Sequence, residues 1–152
     1  MQGSHRTACV HDQQYRRKLV EQLRRYLPGC EIYDPWADHQ NSLEYSDEQG
    51  RRVFFHHNRL SAQVDLLIAY VPEASMGTAI EMWEAHRHGR VVVTISPLAH
   101  NWTVKFLSDL VYPDWEPFFR DLSSGTFSRW LESVRQRKAE SAYQERHTVP
   151  GV

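Results

Sequence analysis

Two apolar runs constrain this chain more than any other feature. Asp65-Leu66-Leu67-Ile68-Ala69-Tyr70-Val71 and Val91-Val92-Val93-Thr94-Ile95 are apolar at consecutive rather than alternate positions. That is the pattern of strands buried on both faces, as in a parallel sheet. Pro72 ends the first run, and a helical pattern over residues 78–88, closed by Gly89, separates it from the second. Strand, helix, strand at this spacing is a parallel crossover. A sheet buried on both faces needs further helices to cover it, so the remaining sequence must supply them.

It does so on either side of the crossover. Residues 15–27 (YRRKLVEQLRRYL) place Leu19, Val20, Leu23, Tyr26 and Leu27 on one helical face and arginines on the other, and Pro28-Gly29 closes the segment. Glu31-Ile32-Tyr33 reads as a short strand cut off by Asp34-Pro35, and the polar stretch from Asp38 to Arg52 as a surface loop over a site. Thr7-Ala8-Cys9-Val10 reads as the stub of a first strand. Helical patterns follow at 53–63, 102–111 and 126–140, with Trp102, Trp115, Phe118, Phe119 and Trp130 as apolar anchors. The alternation predicts one α/β domain over residues 1–140, with a polar tail at 141–152. Its architecture is expected to be a doubly wound, open parallel sheet in three layers, flavodoxin-like or Rossmann-like.

Charge and cysteine content narrow the classes of partner. The chain has 152 residues, with 18 Lys plus Arg against 19 Asp plus Glu. That balance argues against a general affinity for nucleic acid polymers or acidic membranes and leaves small ligands open. Cys9 and Cys30 have neither the number nor the spacing of a disulfide framework or a zinc site. No apolar run approaches a membrane span or the apolar segment of a secretory signal, so the expectation is a soluble cytoplasmic protein.

In an open parallel sheet, ligands bind outside the carboxyl ends of the strands, beside the helix N-termini that follow. The stretch ASMGTAIEMWEAH, residues 74–86, lies there. Ser75 and Thr78 offer hydroxyls, the backbone around Gly77 and Thr78, with Met76 before them, offers N–H groups, and Gly77 lets the backbone approach a ligand closely. Glu81 has two readings. Thr78-Ala79-Ile80-Glu81 fits a capping box, in which the carboxylate serves only the helix; alternatively the carboxylate faces a substrate.

The run VDLLIAYVPEASMGTAIEMWEAHRHGRVVVTI resembles the core of the nucleoside 2-deoxyribosyltransferase superfamily: an aspartate opening an apolar strand, a small-residue loop with glycine, a glutamate in a helix, then a second apolar strand. The resemblance covers residues 53–97. The 16-residue step from Asp65 to Glu81, with Ser75-Met76-Gly77 between, is nearest to the 2'-deoxynucleoside 5'-monophosphate N-glycosidases. The segment EIYDPWADH resembles the second strand and following loop of bacterial members. The resemblance implies that Glu81 attacks the anomeric carbon of a nucleoside or nucleotide, and that the loop around Ser75 holds the 5'-phosphate. It also implies that subunits assemble as a homodimer or larger homo-oligomer; no cofactor or metal is expected. A catalytically inactive nucleotide-binding sensor of the same fold is the alternative.

The chain departs from the family at two places. No glycine follows Thr7-Ala8-Cys9-Val10, where family members carry a loop that cradles the sugar, so the first strand is short or altered. The position of an acid that assists departure of the base is His57, which is either a proton donor or a packing residue. Asp65 either orients the site or ends the strand. Asp34 and Trp36 border the same edge, and Trp36 either covers a nucleobase or fills the core. His86 and His88 flank Arg87 near a helix C-terminus, where cations complement the dipole, and that reading outweighs a metal one.

Overall fold

The computed structural model describes residues 5–38 and 44–147; the side chains of residues 5–13, Trp36, Asp38 and His147 are outside the described set. Its elements are α1 (His5–Tyr26), α2 (Pro35–Asp38), α3 (Asp47–Ser61), β1 (Leu66–Tyr70), α4 (Met76–Arg87), β2 (Val91–Ile95), α5 (Trp102–Leu107), β3 (Leu110–Tyr112), α6 (Trp115–Ser123) and α7 (Thr126–His147). The result is a mixed α/β fold around a small open sheet of order β1-β2-β3, parallel throughout.

Alternation along the strands divides the core in two. Val91, Val93 and Ile95 of β2 join Leu23 of α1, Trp115, Phe118 and Leu122 of α6, and Phe127 and Val134 of α7. Val92 instead joins Ala69 of β1, Met82 and Ala85 of α4, and Val104 of α5. Every residue of β2 is buried, which is why VVVTI carries no polar alternation. Gly89 stands just beyond α4 at φ +70, where a side chain would be strained. At the carboxyl edge, Ser96 donates to the Val71 carbonyl at 2.6 Å and accepts from the Leu98 N–H at 3.0 Å, tying together the chain beyond β1 and β2.

Several boundaries differ from expectation. The strand stub at Thr7–Val10 lies inside helix α1. Residues 30–34 are extended but pair with no strand among the described residues, so Glu31-Ile32-Tyr33 is not part of the sheet. Part of the expected loop is helix: α3 starts at Asp47 because Ser46 and Gln49 form a reciprocal capping box. The helix expected over 102–111 stops at Leu107, leaving Leu110–Tyr112 to form β3. Helix α7 continues through the polar residues 141–147. No helix among the described residues is long and apolar enough to cross a membrane.

Candidate functional site

Helix α4 begins earlier than the Thr78-to-Glu81 signature predicts. Ser75 is the N-cap, with extended backbone at φ −131 and ψ 118, and its hydroxyl oxygen accepts from the Thr78 N–H at 3.4 Å. The Thr78 hydroxyl also donates to it, at 3.1 Å. The first intrahelical bond runs from the Ala79 N–H to the Ser75 carbonyl at 3.0 Å. Glu81 is therefore five residues beyond the first helical residue, Met76, and out of reach of the free N–H groups. The capping-box reading of Glu81 is corrected: Ser75 does that work. The dipole at the helix start also falls off within the first turn, so it contributes little at Glu81.

What surrounds Glu81 is protein rather than a helix end. The side chain is half-buried and makes no hydrogen bond among the described residues. Burial pushes its carboxyl above the usual carboxylate range, and the Arg16 guanidinium pulls it partly back. Helix α1 passes the carboxyl end of β1. There the Tyr15 ring stacks on Trp115 with centroids 5.8 Å apart and lies 6.3 Å from Tyr70. Arg16 Nη1 meets Asp34 Oδ1 at 3.0 Å. Beside Asp34, the Tyr33 ring lies edge-on to His57 at 6.1 Å and to His56 at 6.3 Å.

Segment 31–34 and α1 thus bring Asp34 to Arg16, whose charge acts on Glu81, and His57 lies beside Tyr33, the neighbour of Asp34. Ser75, Met76 and Gly77 form an exposed rim at the start of α4, and Thr78 is half-buried behind them. A Cβ added at Gly77 would meet nothing within 4 Å, and its φ is not positive, so the backbone there is open to a ligand without being strained. Asp65 is not brought to this group. It is exposed at the amino end of β1, and a five-residue strand separates it from the carboxyl edge, about 17 Å at 3.3 Å per residue. Trp36 lies in α2, and its side chain is outside the described residues. At the far end of α4, His88 Nδ1 lies 2.8 Å from the Glu84 carbonyl and Arg87 pairs with Glu84, in keeping with a helix-end role.

Arg16 is the residue that sequence reasoning could not place. Within YRRKLVEQLRRY it looks like any other arginine on a polar helix face, and it is the tertiary packing, with Asp34 paired to it and Tyr15 docked on Trp115, that distinguishes it from exposed Arg17. Two shallow depressions on the surface lie elsewhere, one along α3 lined by Arg51, Arg52, Phe55, His56 and Arg59, the other near Tyr143 on α7. Glu81 lines neither. No protein-family model matches the chain, and no curated protein matches it in sequence.

Proposed function

We propose that the chain cleaves or transfers at the N-glycosidic bond of a nucleoside, deoxynucleoside or 5'-monophosphate, with Glu81 as nucleophile. One observation carries this reading: Glu81 is a half-buried carboxylate, unused as a helix cap, on the helix that follows the carboxyl end of β1 in a parallel sheet. A Glu81 oxygen attacks the anomeric carbon as the bond to the base breaks. The base leaves with the electron pair and takes up a proton, for which His57 is the candidate donor. Water or an incoming base then opens the glycosyl ester with net retention. In this reading the helices on the two sheet faces are those of a doubly wound, three-layer fold.

A second reading, a nucleotide-binding module without chemistry, is favoured by one feature. Residues 7–10 are helical, where the resemblance calls for a strand and a loop cradling the sugar. A panel of nucleosides and 5'-monophosphates analysed by chromatography separates the two readings. Release of free base is expected. Ligand-induced stabilisation without release would establish the binding module instead.

Self-association is part of the same reading. Along α4 and α5, Met76 is 86% exposed, Trp83 53%, Trp102 77% and Phe106 58%. At roughly 150–250 Å² per aromatic residue, the three rings alone present about 300–450 Å², approaching the upper size of patches on ordinary monomers. That is about half of the roughly 800 Å² that each partner buries in a stable complex. A second copy of this chain is the occupant proposed. Converting Trp83 and Trp102 to Glu is expected to weaken the dimer about 30-fold or more, the effect of losing one hot spot of 2 kcal/mol. Light scattering checks this, and a wild-type monomer at assay concentration would sink it.

A further inference from the structure

Helix α3 turns a cationic face to solvent that the proposed chemistry at Glu81 does not use. At 3.6 residues per turn, positions 51, 52, 55, 56 and 59 fall within an arc of about 140°, and Arg51, Arg52, Phe55, His56 and Arg59 are all exposed. They line a depression of about 740 Å³, within the size range of small-molecule sites. Glu48 lines it too, but its carboxylate is taken by Arg52 one turn on. Arg51 and Arg59 have no carboxylate partner among the described residues. Eight residues of helix, about 12 Å, separate them, and Phe55 lies in the turn between. Phe55 is 47% exposed, and the Arg51 guanidinium lies over its ring, 5.8 Å from the centroid.

We propose that this face of α3 binds a nucleoside triphosphate, at a site separate from the Ser75 rim: the base stacks at Phe55 and Arg51, and the phosphates pair with the guanidinium groups. Three arginines against one glutamate leave the face cationic, so its charge complements an anion. Guanidinium groups hold phosphate oxygens in paired, charge-assisted hydrogen bonds. An exposed ring beside a guanidinium is a platform on which a base stacks, whatever its identity. A lone phosphate would engage one turn of the face and leave the ring uncovered, whereas a triphosphate joined to a planar base engages both. The arrangement stands whether or not Glu81 is a nucleophile, and its test reads no activity.

The experiment titrates magnesium-free ATP and tripolyphosphate into the full chain while following the arginine Nε–Hε NMR resonances, assigned with Arg51→Gln, Arg52→Gln and Arg59→Gln. ATP should move these three resonances together and to saturation. Arg51→Gln combined with Arg59→Gln should weaken ATP about tenfold or more through lost charge-assisted bonds. Phe55→Ala should weaken ATP about fivefold or more through lost stacking, while leaving tripolyphosphate within about twofold. ATP that leaves the three resonances in place overturns the proposal. So does binding that neither the double variant nor Phe55→Ala weakens. Movement with phosphatidylserine vesicles or a hexaglutamate peptide, but not with ATP, would assign the face to a membrane or a protein and overturn it equally. The substituted side chains are exposed, so the variants should fold like the wild type; the wild-type titration is decisive even where one does not.

Discussion

Glu81→Gln is expected to abolish base release, with a loss on the order of 10³-fold or more, and to leave the melting temperature near pH 7 unchanged or higher. The first half follows from removing the group proposed to form the glycosyl ester. The second follows from where the structure puts the carboxylate. Ser75 caps α4, so the helix start does not need Glu81. Burial raises the carboxyl above its ordinary value, so the folded protein holds this proton more tightly than the unfolded chain. The resulting stabilisation is complete below the unfolded pKa, about 4.3 for Glu, and is lost as pH rises through the higher folded value. At neutral pH the ionised group opposes folding, and a neutral Gln of nearly the same shape escapes that penalty. The variant's advantage should shrink as the pH falls into the ordinary carboxylate range. Substantial retained turnover would mean that Glu81 is not the nucleophile. A clear drop in melting temperature at pH 7 would mean that attraction to Arg16 outweighs the cost of burial.

The sheet centre was legible because burial on both faces leaves no alternation to misread. VVVTI and LLIAY are continuous apolar runs bounded by Pro72, Gly89 and a helix, and they pair in parallel as expected. The helix starts were not equally legible. The sequence carries hydroxyls at both Ser75 and Thr78, and the expectation put the cap at Thr78; the structure puts it at Ser75, and with that the role of Glu81 changes. The box from Ser46 to Gln49 was also present in the sequence, but the surrounding polar residues and Gly50 make that stretch look like loop. Strand β3 has only three residues and follows directly on a helical pattern, too short for any period to show. Arg16 and Asp34 are 18 residues apart in sequence and meet only because Tyr15, Tyr70 and Trp115 pack together. Nothing in the periodicity of any single segment carries that information.

Ser75→Asp is expected to cost the 5'-monophosphate about a hundredfold in kcat/KM while leaving the nucleoside within about threefold; Coulomb repulsion and capping supply the reasons. Asp is as good an N-cap as Ser, and a negative charge at a helix start gains about 0.3–1 kcal/mol from the dipole, so the fold should hold or tighten. A phosphate bound at the Met76 and Gly77 N–H groups would then face a carboxylate. Two like charges 4 Å apart repel by about 4 kcal/mol at an effective dielectric of 20. Ser75 is exposed and solvent reduces that figure, but about 2.8 kcal/mol already corresponds to a hundredfold. Ser75→Gly is the companion variant, because it sacrifices only a few tenths of a kcal/mol of capping while deleting the hydroxyl. In the structure that hydroxyl oxygen accepts from the Thr78 N–H and the Thr78 hydroxyl, which leaves its proton to donate to a phosphate oxygen. A selective loss on the monophosphate in both variants would locate the phosphate at this loop. Equal losses on both substrates would mean that Ser75 serves the helix alone, and that the site around Glu81, Arg16 and Asp34 reads sugar and base without a phosphate clamp.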